Sequence, residues 1–503
     1  MKRARFLFLL FAAIAAAPLA AQTVYVPDSG FTNSGNVIPM AGAWPASTNP
    51  GGEWTYQEHI TATAIGRSGM IVGLAFLSHS NQTMTATLGR IRMSHTTLTT
   101  PSTTFATNTP CAVEVYPAQP LTWVGTAQAW SPLPMTRGFY YDGVRNLTIE
   151  LRFQGAAVTG GNGACDTNSS HANAPHRLWV YGTGAYTATT AASAGDKYGL
   201  KVALVFADQA YCPSDTPTTG TANIFPMGWG AEGRFQMIVD AKYLPSAPVK
   251  ITDIAFAPTA PTTFTASQFQ MRMAHTTLAD FSSSANFDTN LGSSPIIVHN
   301  GPMSWSATAN AWSPFNLKGS FGYDGKRHLL IELRYTGGAN GCAIYRDNVS
   351  PRLYTYGTGT YGATTGTGTG INGPKVRLTL DGRCYLAVGD TMRLGSKNAI
   401  SLLDFPVGQF YQVGASLGQV PLGLAGYTVW LAPDSVLFAS LSVGPPVFSN
   451  YGGVTSICGT GQAVLIIPSI PSLVGIPVYH AAIAYTNRGI VGATNTGGSL
   501  ITR

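Results

Sequence analysis

The feature that most constrains this sequence is an internal repeat. "RIRMSHTTL" at 90–98 returns as "QMRMAHTTL" at 270–278, and "RLWVYGTGAYTATT" from Arg177 returns as "RLYTYGTGTYGATT" from Arg352. "AWSPLPMTRGFYYDGVRNLTIELRF" at 129–153 returns as "AWSPFNLKGSFGYDGKRHLLIELRY" at 311–335. Because the copies keep their order and lie about 180 residues apart, they predict a duplicated domain and not a solenoid of short repeats.

The repeat also places the domain boundaries. "NVIPM" ending at Met40 and "NIFPM" ending at Met227 mark the two beginnings. We therefore predict one domain over 22–206 and a homologous one over 207–380, each long enough to bury its own core. Residues 381–503 resemble neither copy and are predicted to form a smaller C-terminal domain.

The local pattern within the copies is that of β-strands. Apolar and polar residues alternate over 147–153 and again over 329–335, and Asp142-Gly143 and Asp324-Gly325 provide turn signals before them. This alternation predicts one face toward a core and the other toward water. Since 57 Gly and 32 Pro also disfavour long helices, the expected fold is all-β, with two tandem β-sandwich or jelly-roll domains and a smaller C-terminal β-sandwich.

The first residues predict export from the cytoplasm. Lys2, Arg3 and Arg5 precede an apolar stretch over 6–17, and small residues lie before Gln22, so residues 1–21 are interpreted as a secretory signal peptide. Its removal would leave +4 of the formal charge of +7, in a chain of which only 10% is charged. The sequence therefore predicts a secreted or cell-surface protein that has no nucleic-acid partner and, after cleavage, no transmembrane segment.

The six cysteines are interpreted in that extracellular setting. An even number of cysteines in an exported chain favours disulfides, and the sequence contains no C-x-x-C that would indicate a zinc ribbon. One bridge in each predicted domain gives the pairs Cys111 with Cys165, Cys212 with Cys342 and Cys384 with Cys458. Six cysteines allow 15 pairings, so the others stay open.

The C-terminal segment is more apolar than the repeats. Residues 463–485 carry no formal charge, but Pro468, Pro471 and Pro477 interrupt them and disfavour a membrane helix. We predict two strands joined by a turn. A sorting or anchoring role is a further hypothesis for 381–503.

The repeated motifs are similar to those of a known group of proteins. "FYYDGVRNLTIELRF" and "FGYDGKRHLLIELRY", each preceded by "AWSP", resemble a module of secreted proteins from planctomycetes and related environmental bacteria. "GQFYQVGASLGQVPLGL" and "IPSLVGIPVYHAAIAY" are similar to a small C-terminal β domain of the same proteins. The resemblance implies exported β modules and implies no particular activity, because the group is largely uncharacterised.

Two motifs typical of enzymes occur in unsuitable contexts. Residues 414–418 match G-x-S-x-G around Ser416, and Asp434 and His480 follow in the order found in α/β-hydrolases. Residues 357–362 match G-x-G-x-x-G. Neither motif is followed by a helix pattern, so we predict a Gly turn after a strand and a Thr/Gly loop, with no bound cofactor and no nucleotide.

The recurring ionisable residues allow alternative interpretations. Carboxylate pairs could cleave glycosides, but the Asp of each pair is expected to cap a turn and the Glu to lie beside an Arg on the polar face. The two recurring histidines are interpreted as hydrogen-bonded core residues and not as metal ligands. A denser group is interpreted as a disulfide-tethered loop. The carboxylate pairs are Asp142 with Glu150 and Asp324 with Glu332, and the arginines beside the two glutamates are Arg152 and Arg334. The recurring histidines are His95 and His275. The denser group consists of Cys165, Asp166, His171 and His176.

The recurring tyrosines are the best candidates for a binding surface. Tyr181 and Tyr186 flank small residues, and Tyr356 and Tyr361 do so in the second copy. Tyrosine rings provide large contact areas at low entropy cost, although a strand end with core tyrosines is the alternative. The leading hypothesis is a non-enzymatic structural or adhesive protein that self-assembles into an oligomer or filament. A polysaccharide-binding protein using Tyr and Trp faces is the alternative, and a hydrolase comes third.

Overall fold

The computed structural model describes residues 21–32, 34–43, 49–442 and 446–503. They form two compact units, 21–207 and 208–503. The predicted signal peptide lies outside the described residues except for Ala21. The domain limits predicted from the repeat stay predictions, and the two units are described separately below.

The first unit consists of strands with two short helices. The helices are α1 (Ala62–Ile65) and α2 (Phe105–Asn108), and a 3-10 turn covers Ala185–Thr187. The strands are β1 (Ala21–Val26), β2 (Gly35–Asn36), β3 (Trp54–Ile60), β4 (Gly69–Ser78), β5 (Gln82–Thr96), β6 (Val113–Gly125), β7 (Ala129–Leu133), β8 (Phe139–Tyr141), β9 (Asn146–Gln154), β10 (Ala157–Thr159), β11 (Cys165–Asp166), β12 (His176–Tyr181), β13 (Ser193–Asp196) and β14 (Val202–Ala207).

The strands of the first unit form two sheets. One has the order β1-β14-β4-β11-β2, with β7 and β8 also paired to β4, and the other has the order β10-β5-β9-β3-β12-β13, with β6 paired to β5. An apolar core lies between them and includes Trp54, Phe76, Trp123 and Phe153. The all-β sandwich predicted from the alternating pattern is confirmed.

The second unit begins with elements that correspond in order to those of the first. Its helix α3 covers Phe287–Leu291, and 3-10 turns cover Ala241–Tyr243 and Thr360–Gly362. The strands are β15 (Gln209–Cys212), β16 (Thr221–Asn223), β17 (Glu232–Val239), β18 (Val249–Phe256), β19 (Thr262–Thr276), β20 (Ile296–Ala307), β21 (Ser313–Pro314), β22 (Phe321–Tyr323), β23 (His328–Thr336), β24 (Ile344–Arg346), β25 (Arg352–Tyr356), β26 (Gly368–Gly370) and β27 (Val376–Asp381).

The rest of the second unit is also built from strands. Helix α4 covers Ser435–Ser442, and a 3-10 turn covers Pro471–Leu473. The strands are β28 (Tyr385–Val388), β29 (Thr391–Arg393), β30 (Lys397–Leu403), β31 (Phe410–Ser416), β32 (Pro421–Leu424), β33 (Tyr427–Trp430), β34 (Phe448–Ser449), β35 (Gly452–Val454), β36 (Gly461–Ile466), β37 (Pro477–Thr486), β38 (Gly489–Ala493) and β39 (Gly497–Thr502).

The pairing of these strands positions the candidate site. The sheet with the order β20-β19-β23-β17-β25-β26 ends at β26, next to β25. Near the C-terminus, β31 lies between β35 and β37, and β38 pairs with β37. β36 and β37 confirm the prediction of two strands across the uncharged 463–485 stretch. In the part of the chain that is described, no helix has the length and apolarity needed to cross a membrane.

The alternating strands are buried on both faces, which corrects one prediction. Every residue from Leu147 to Phe153 on β9 is buried, including Glu150, whose exposed fraction is 1%. Helix α2 and the Ala185–Thr187 turn cover the polar side of this sheet: Gln57 donates a hydrogen bond to the Phe105 carbonyl at 3.0 Å. The second face therefore contacts protein and not water.

The predicted disulfide pairs are wrong. Cys165, Cys212, Cys342 and Cys384 carry free thiols, so each predicted pair contains at least one free cysteine. The Cys165 side chain packs in the apolar core of the first unit, and Cys212 Sγ lies 3.2 Å from Ser350 Oγ. Burial raises the pKa of the Cys212 thiol to about 12. Proximity in sequence did not bring these side chains into the narrow geometry that a disulfide requires.

Candidate functional site

The repeated glutamate of the first unit is the centre of a buried charged cluster. Glu150 accepts hydrogen bonds from Arg92 Nε at 2.8 Å, Arg152 Nε at 2.7 Å and Gln57 Nε2 at 2.8 Å. Burial by itself raises the pKa of this carboxyl, but the hydrogen bond and charge of Arg152 and the charge of Arg92 overcome it and leave the pKa lowered. A carboxylate held ionised by two arginines is a structural group and a poor general acid.

The matching glutamate of the second unit has a different set of arginines. Glu332 accepts hydrogen bonds from Arg272 Nε at 2.9 Å, Arg234 Nη2 at 3.0 Å and Gln236 Nε2 at 2.8 Å. Arg334, which was predicted to lie beside Glu332 on the polar face, is not among the arginines that bond to this carboxylate in the described structure. Arg334 instead donates to Gln270 at 2.9 Å and lies over the Tyr361 ring.

The recurring histidines and aspartates fix the turns before β9 and β23. The backbone N–H of Asp142 donates to Nε2 of His95 at 3.1 Å, and Asp324 does the same to His275 at 3.1 Å. Asp142 Oδ1 accepts from the backbone N–H of Arg145 at 2.9 Å, as expected for a turn cap. Burial lowers the pKa of both histidines to about 4, so each stays neutral and accepts this bond. The prediction of hydrogen-bonded core histidines is confirmed.

The residues of the G-x-S-x-G motif do not form a catalytic triad in the described structure. Ser416 Oγ donates to Asp434 Oδ2 at 2.9 Å, and Asp434 Oδ1 accepts from the backbone N–H of Leu437 at the start of α4. His480 pairs with Ala415 across β31 and β37, so its side chain lies on the face of the sheet opposite to that of Ser416. Asp434 directly precedes α4, whereas Ser416 ends β31, and the strand β32 follows it where a hydrolase needs a helix.

The four predicted tyrosines lie in different environments. Tyr356 is 42% exposed, whereas Tyr181, Tyr186 and Tyr361 are half-buried. Tyr186 and Tyr361 lie beneath the guanidinium groups of arginines, at 5.9 and 4.7 Å from the ring centres. Of the four, Tyr356 presents its ring most fully to solvent.

Tyr356 belongs to a larger group that we call the aromatic face, which consists of Phe225, Trp229, Arg352, Tyr354 and Tyr356. The rings of Trp229 and Tyr356 lie 4.9 Å apart, and those of Phe225 and Tyr354 lie 4.2 Å apart. Trp229 is 45% exposed. Arg352, Tyr354 and Tyr356 share this face because they alternate along β25.

The matching strand of the first unit is more enclosed. On β12 the same positions hold Arg177, Trp179 and Tyr181, and the Tyr181 ring packs 5.3 Å from Trp54. Trp54 is completely buried and donates a hydrogen bond to the Gly42 carbonyl at 2.6 Å. Gly42 holds the position after "NVIPM" that Trp229 holds after "NIFPM".

Sequence reasoning missed Phe225, Trp229 and Arg352. The signal that could have found them was the set of positions at which the two copies differ in chemistry. Trp229 replaces a glycine, and Gly233 pairs with Tyr356 at the register where Trp54 pairs with Tyr181. The recurring tyrosines, by contrast, are positions at which the two copies agree.

A second exposed group lies on the outer face of the C-terminal strands. Val454, Phe410, Tyr485 and Ile490 are direct neighbours across β35, β31, β37 and β38. Phe410 is 50% and Val454 is 55% exposed, and the Phe410 and Tyr485 rings stack at 5.7 Å. Between residues 405 and 487 the sequence has one formally charged residue, Asp434. We call these four side chains the apolar row.

Comparisons with known proteins give no family. No family model and no curated protein matches the chain. Among solved structures, the native conformation of E. coli alpha-2-macroglobulin is matched at 8% identity over 86% of this chain and 35% of that chain, with a TM-score of 0.13. The chain thus spans about a third of that structure. A likeness at this TM-score carries no argument about fold or function.

Proposed function

We propose that this protein is a non-catalytic adhesive protein that acts outside the cell and attaches to polysaccharide through the aromatic face. The observation that carries the proposal is the contact between Trp229 and Tyr356, two large aromatic side chains that are 45% and 42% exposed. Export is supported by the predicted signal peptide. The ion pairs and turn bonds that occupy the repeated carboxylates support binding over catalysis.

The physical argument rests on what exposed rings do in water. Single exposed apolar residues are ordinary, but aromatic side chains in contact with one another form a patch of the kind that marks interaction sites. The C–H faces of a pyranose ring pack against aromatic rings, and Tyr and Trp supply this area with little loss of side-chain entropy. The aromatic face therefore suits a sugar chain lying across it.

The test is retention of the purified full chain on insoluble polysaccharides, followed by glycan-array binding. Trp229→Ala and Tyr356→Ala should each weaken binding about tenfold, which corresponds to about 1.4 kcal/mol. Tyr198→Ala is the matched control, because Tyr198 is an exposed aromatic residue, at 47%, outside the aromatic face. Binding that survives both substitutions, or a wild-type chain that binds no polysaccharide, contradicts the proposal.

Self-assembly is a second candidate function, favoured by the apolar row. A surface without charge has nothing to pair with a charged partner, and its complement is another uncharged surface such as the same row on a second copy. Phe410→Lys should convert an oligomer to a monomer in sedimentation velocity, because a lysine placed in the contact would be desolvated. Val144→Lys, at a residue that is 79% exposed elsewhere, should leave the mass unchanged. A monomeric wild-type chain would remove this candidate.

A further inference from the structure

One repeated arginine has an acidic partner in the first unit but not in the second. In the first unit Arg177 on β12 pairs with Asp196 on β13, at 2.8 Å from Nε and 3.1 Å from Nη2. In the second unit Arg352 on β25 has Gly370 at the same register on β26. The acidic partner is therefore missing from the second unit, and no carboxylate of the described residues forms an ion pair with Arg352.

Arg352 is unpaired although it is 94% removed from solvent. Its exposed fraction is 6%, and its Nε and Nη1 have no hydrogen-bond acceptor among the described residues. Its guanidinium lies 5.1 Å from the Phe225 ring centre and 4.9 Å from that of Tyr354. Arginine is almost never buried without a partner, so a charge in this state indicates a group that pairs when a ligand is present.

The position that the missing aspartate would hold is bordered by polar groups and is not an open cavity, since a side chain added there would require the Asn372 side chain to move. A Cβ atom at Gly370 would lie 3.8 Å from Arg352 Nε and 2.8 Å from Asn372 Oδ1. Asn372 Oδ1 also lacks a hydrogen-bond partner in the described part of the chain. An unused donor and an unused acceptor therefore lie beside Gly370 on the edge strand, next to the aromatic face, and we call this position, which lacks a side chain, the gap.

We propose that this gap binds the carboxylate of a uronic acid residue, so that the polysaccharide recognised by the aromatic face is an acidic one. The sugar carboxylate takes the place that the Asp196 carboxylate has in the first unit and accepts from Arg352. A sugar hydroxyl donates to Asn372 Oδ1, and the chain continues over Tyr354, Trp229 and Tyr356. The inference rests on the proposed function and adds the chemical class of its ligand.

The chemistry favours an acid over a neutral sugar. A guanidinium bonds a carboxylate through charge-assisted hydrogen bonds, which are about twice as strong as bonds between neutral groups. Arg346 adds a second positive charge nearby: burial and the Arg346 charge together lower the pKa of Arg352. An anion in the gap relieves both the desolvation and the repulsion.

The experiment compares two ligands that differ only at the carboxyl group, which is charged in one and a neutral ester in the other. Oligogalacturonate and its methyl ester are titrated into the full chain by isothermal calorimetry at fixed salt. The acid should bind at least tenfold more tightly than the ester. Equal affinities for acid and ester, with binding still lost in Trp229→Ala, would overturn the inference and leave the proposed function standing. No binding of either ligand or of neutral polysaccharides would overturn both.

Gly370→Asp is the decisive variant, because it rebuilds the ion pair of the first unit. The new carboxylate should occupy Arg352 and cancel the tenfold preference for the acid. The closest atom to the added side chain is Asn372 Oδ1, the end of a flexible side chain, so the fold should tolerate it. Gly423→Asp, which adds the same charge to β32 where the new Cβ has open space, is the matched control and should leave the preference unchanged. A preference that persists in Gly370→Asp contradicts the assignment of this gap, and a thermal melt of each variant confirms folding.

Discussion

Strand β12 of the first unit and strand β25 of the second carry the same pattern, an arginine followed by aromatic residues at alternate positions. In the first unit the pattern is closed: Trp54 fills the space beneath Tyr181, and Asp196 neutralises Arg177. In the second unit glycines hold both of these positions. Trp229 of the second unit stands where the first unit has Gly42, and its ring is exposed. Three changes of side chain therefore distinguish an enclosed strand from an exposed surface.

The buried charged clusters of the two units also differ in which strands supply their arginines. Each unit keeps its glutamate, one glutamine and two arginines, but the second arginine comes from β9 in the first unit and from β17 in the second. Thr55 stands at the register of Arg234, and Arg334 stands at that of Arg152. What both units retain is a pair of arginines on a buried carboxylate, because an uncompensated charge there is costly. In the second unit both arginines also pair with Asp288.

The largest expected difference between the units concerns their tryptophans. Trp54→Ala should lower the free energy of unfolding by about 3–5 kcal/mol, since it empties a fully buried site. Trp229→Ala should lower it by about 1 kcal/mol or less, because the ring is half-exposed and keeps only surface contacts. Hydrogen exchange of peptides from each unit during urea unfolding measures both. Equal losses of unfolding free energy would contradict the description of Trp54 as enclosed and of Trp229 as exposed.

The next largest expected difference in stability concerns the arginines near the two buried glutamates. Arg152→Met leaves Glu150 with one fewer partner in a buried site and should destabilise the first unit by about 3 kcal/mol. Arg334→Met removes the bond to Gln270 and the contact of the guanidinium with the Tyr361 ring, and should cost about 1 kcal/mol. Arg234→Met in the second unit should behave like Arg152→Met. The same hydrogen exchange measures the loss of unfolding free energy in all three variants. If Arg234 has the role in the second unit that Arg152 has in the first, Arg152→Met and Arg234→Met should lose similar amounts and Arg334→Met less.

The histidines should behave alike in both units. The folded pKa of His95 and His275 is about 4, below the ordinary 6.5, so between these values the unfolded chain binds a proton that the folded chain does not. Stability therefore rises with pH across this window, by up to about 1.4 kcal/mol per pH unit for each histidine. His95→Gln and His275→Gln retain an acceptor and should each flatten this slope by the same amount. A slope unchanged in either variant contradicts the neutral, accepting histidine.

Much of the fold was predictable from local pattern. The alternation over 147–153, the Asp-Gly turns and the prolines after 463 predicted strands and turns that the structure contains, because a strand's period and a turn's dihedral angles depend on nearby residues. Hydrogen-bonded histidines followed from a lone His among apolar neighbours. The predicted disulfide pairs were wrong and the arginines that bond to Glu332 were not foreseen, since both depend on which distant strands lie side by side.

The candidate site shows where such reasoning ends. Tyrosines could be chosen as ring-bearing residues, but their exposure depends on what packs beneath and beside them. Tyr356 is exposed in part because Gly233 offers no side chain where Trp54 stands in the other unit. The arginine became a candidate only when the register placed Gly370 beside it.

The amino-acid sequence by itself determined the repeated order of segments, the all-β character and the residue types at each position. Tertiary structure alone decided that both faces of β9 are covered, which cysteines stay reduced, and which arginine lacks an acid. The physical reason is the separation along the chain over which each kind of interaction acts. Backbone preference acts between neighbours in the chain, whereas burial and charge pairing act between residues that only folding brings together.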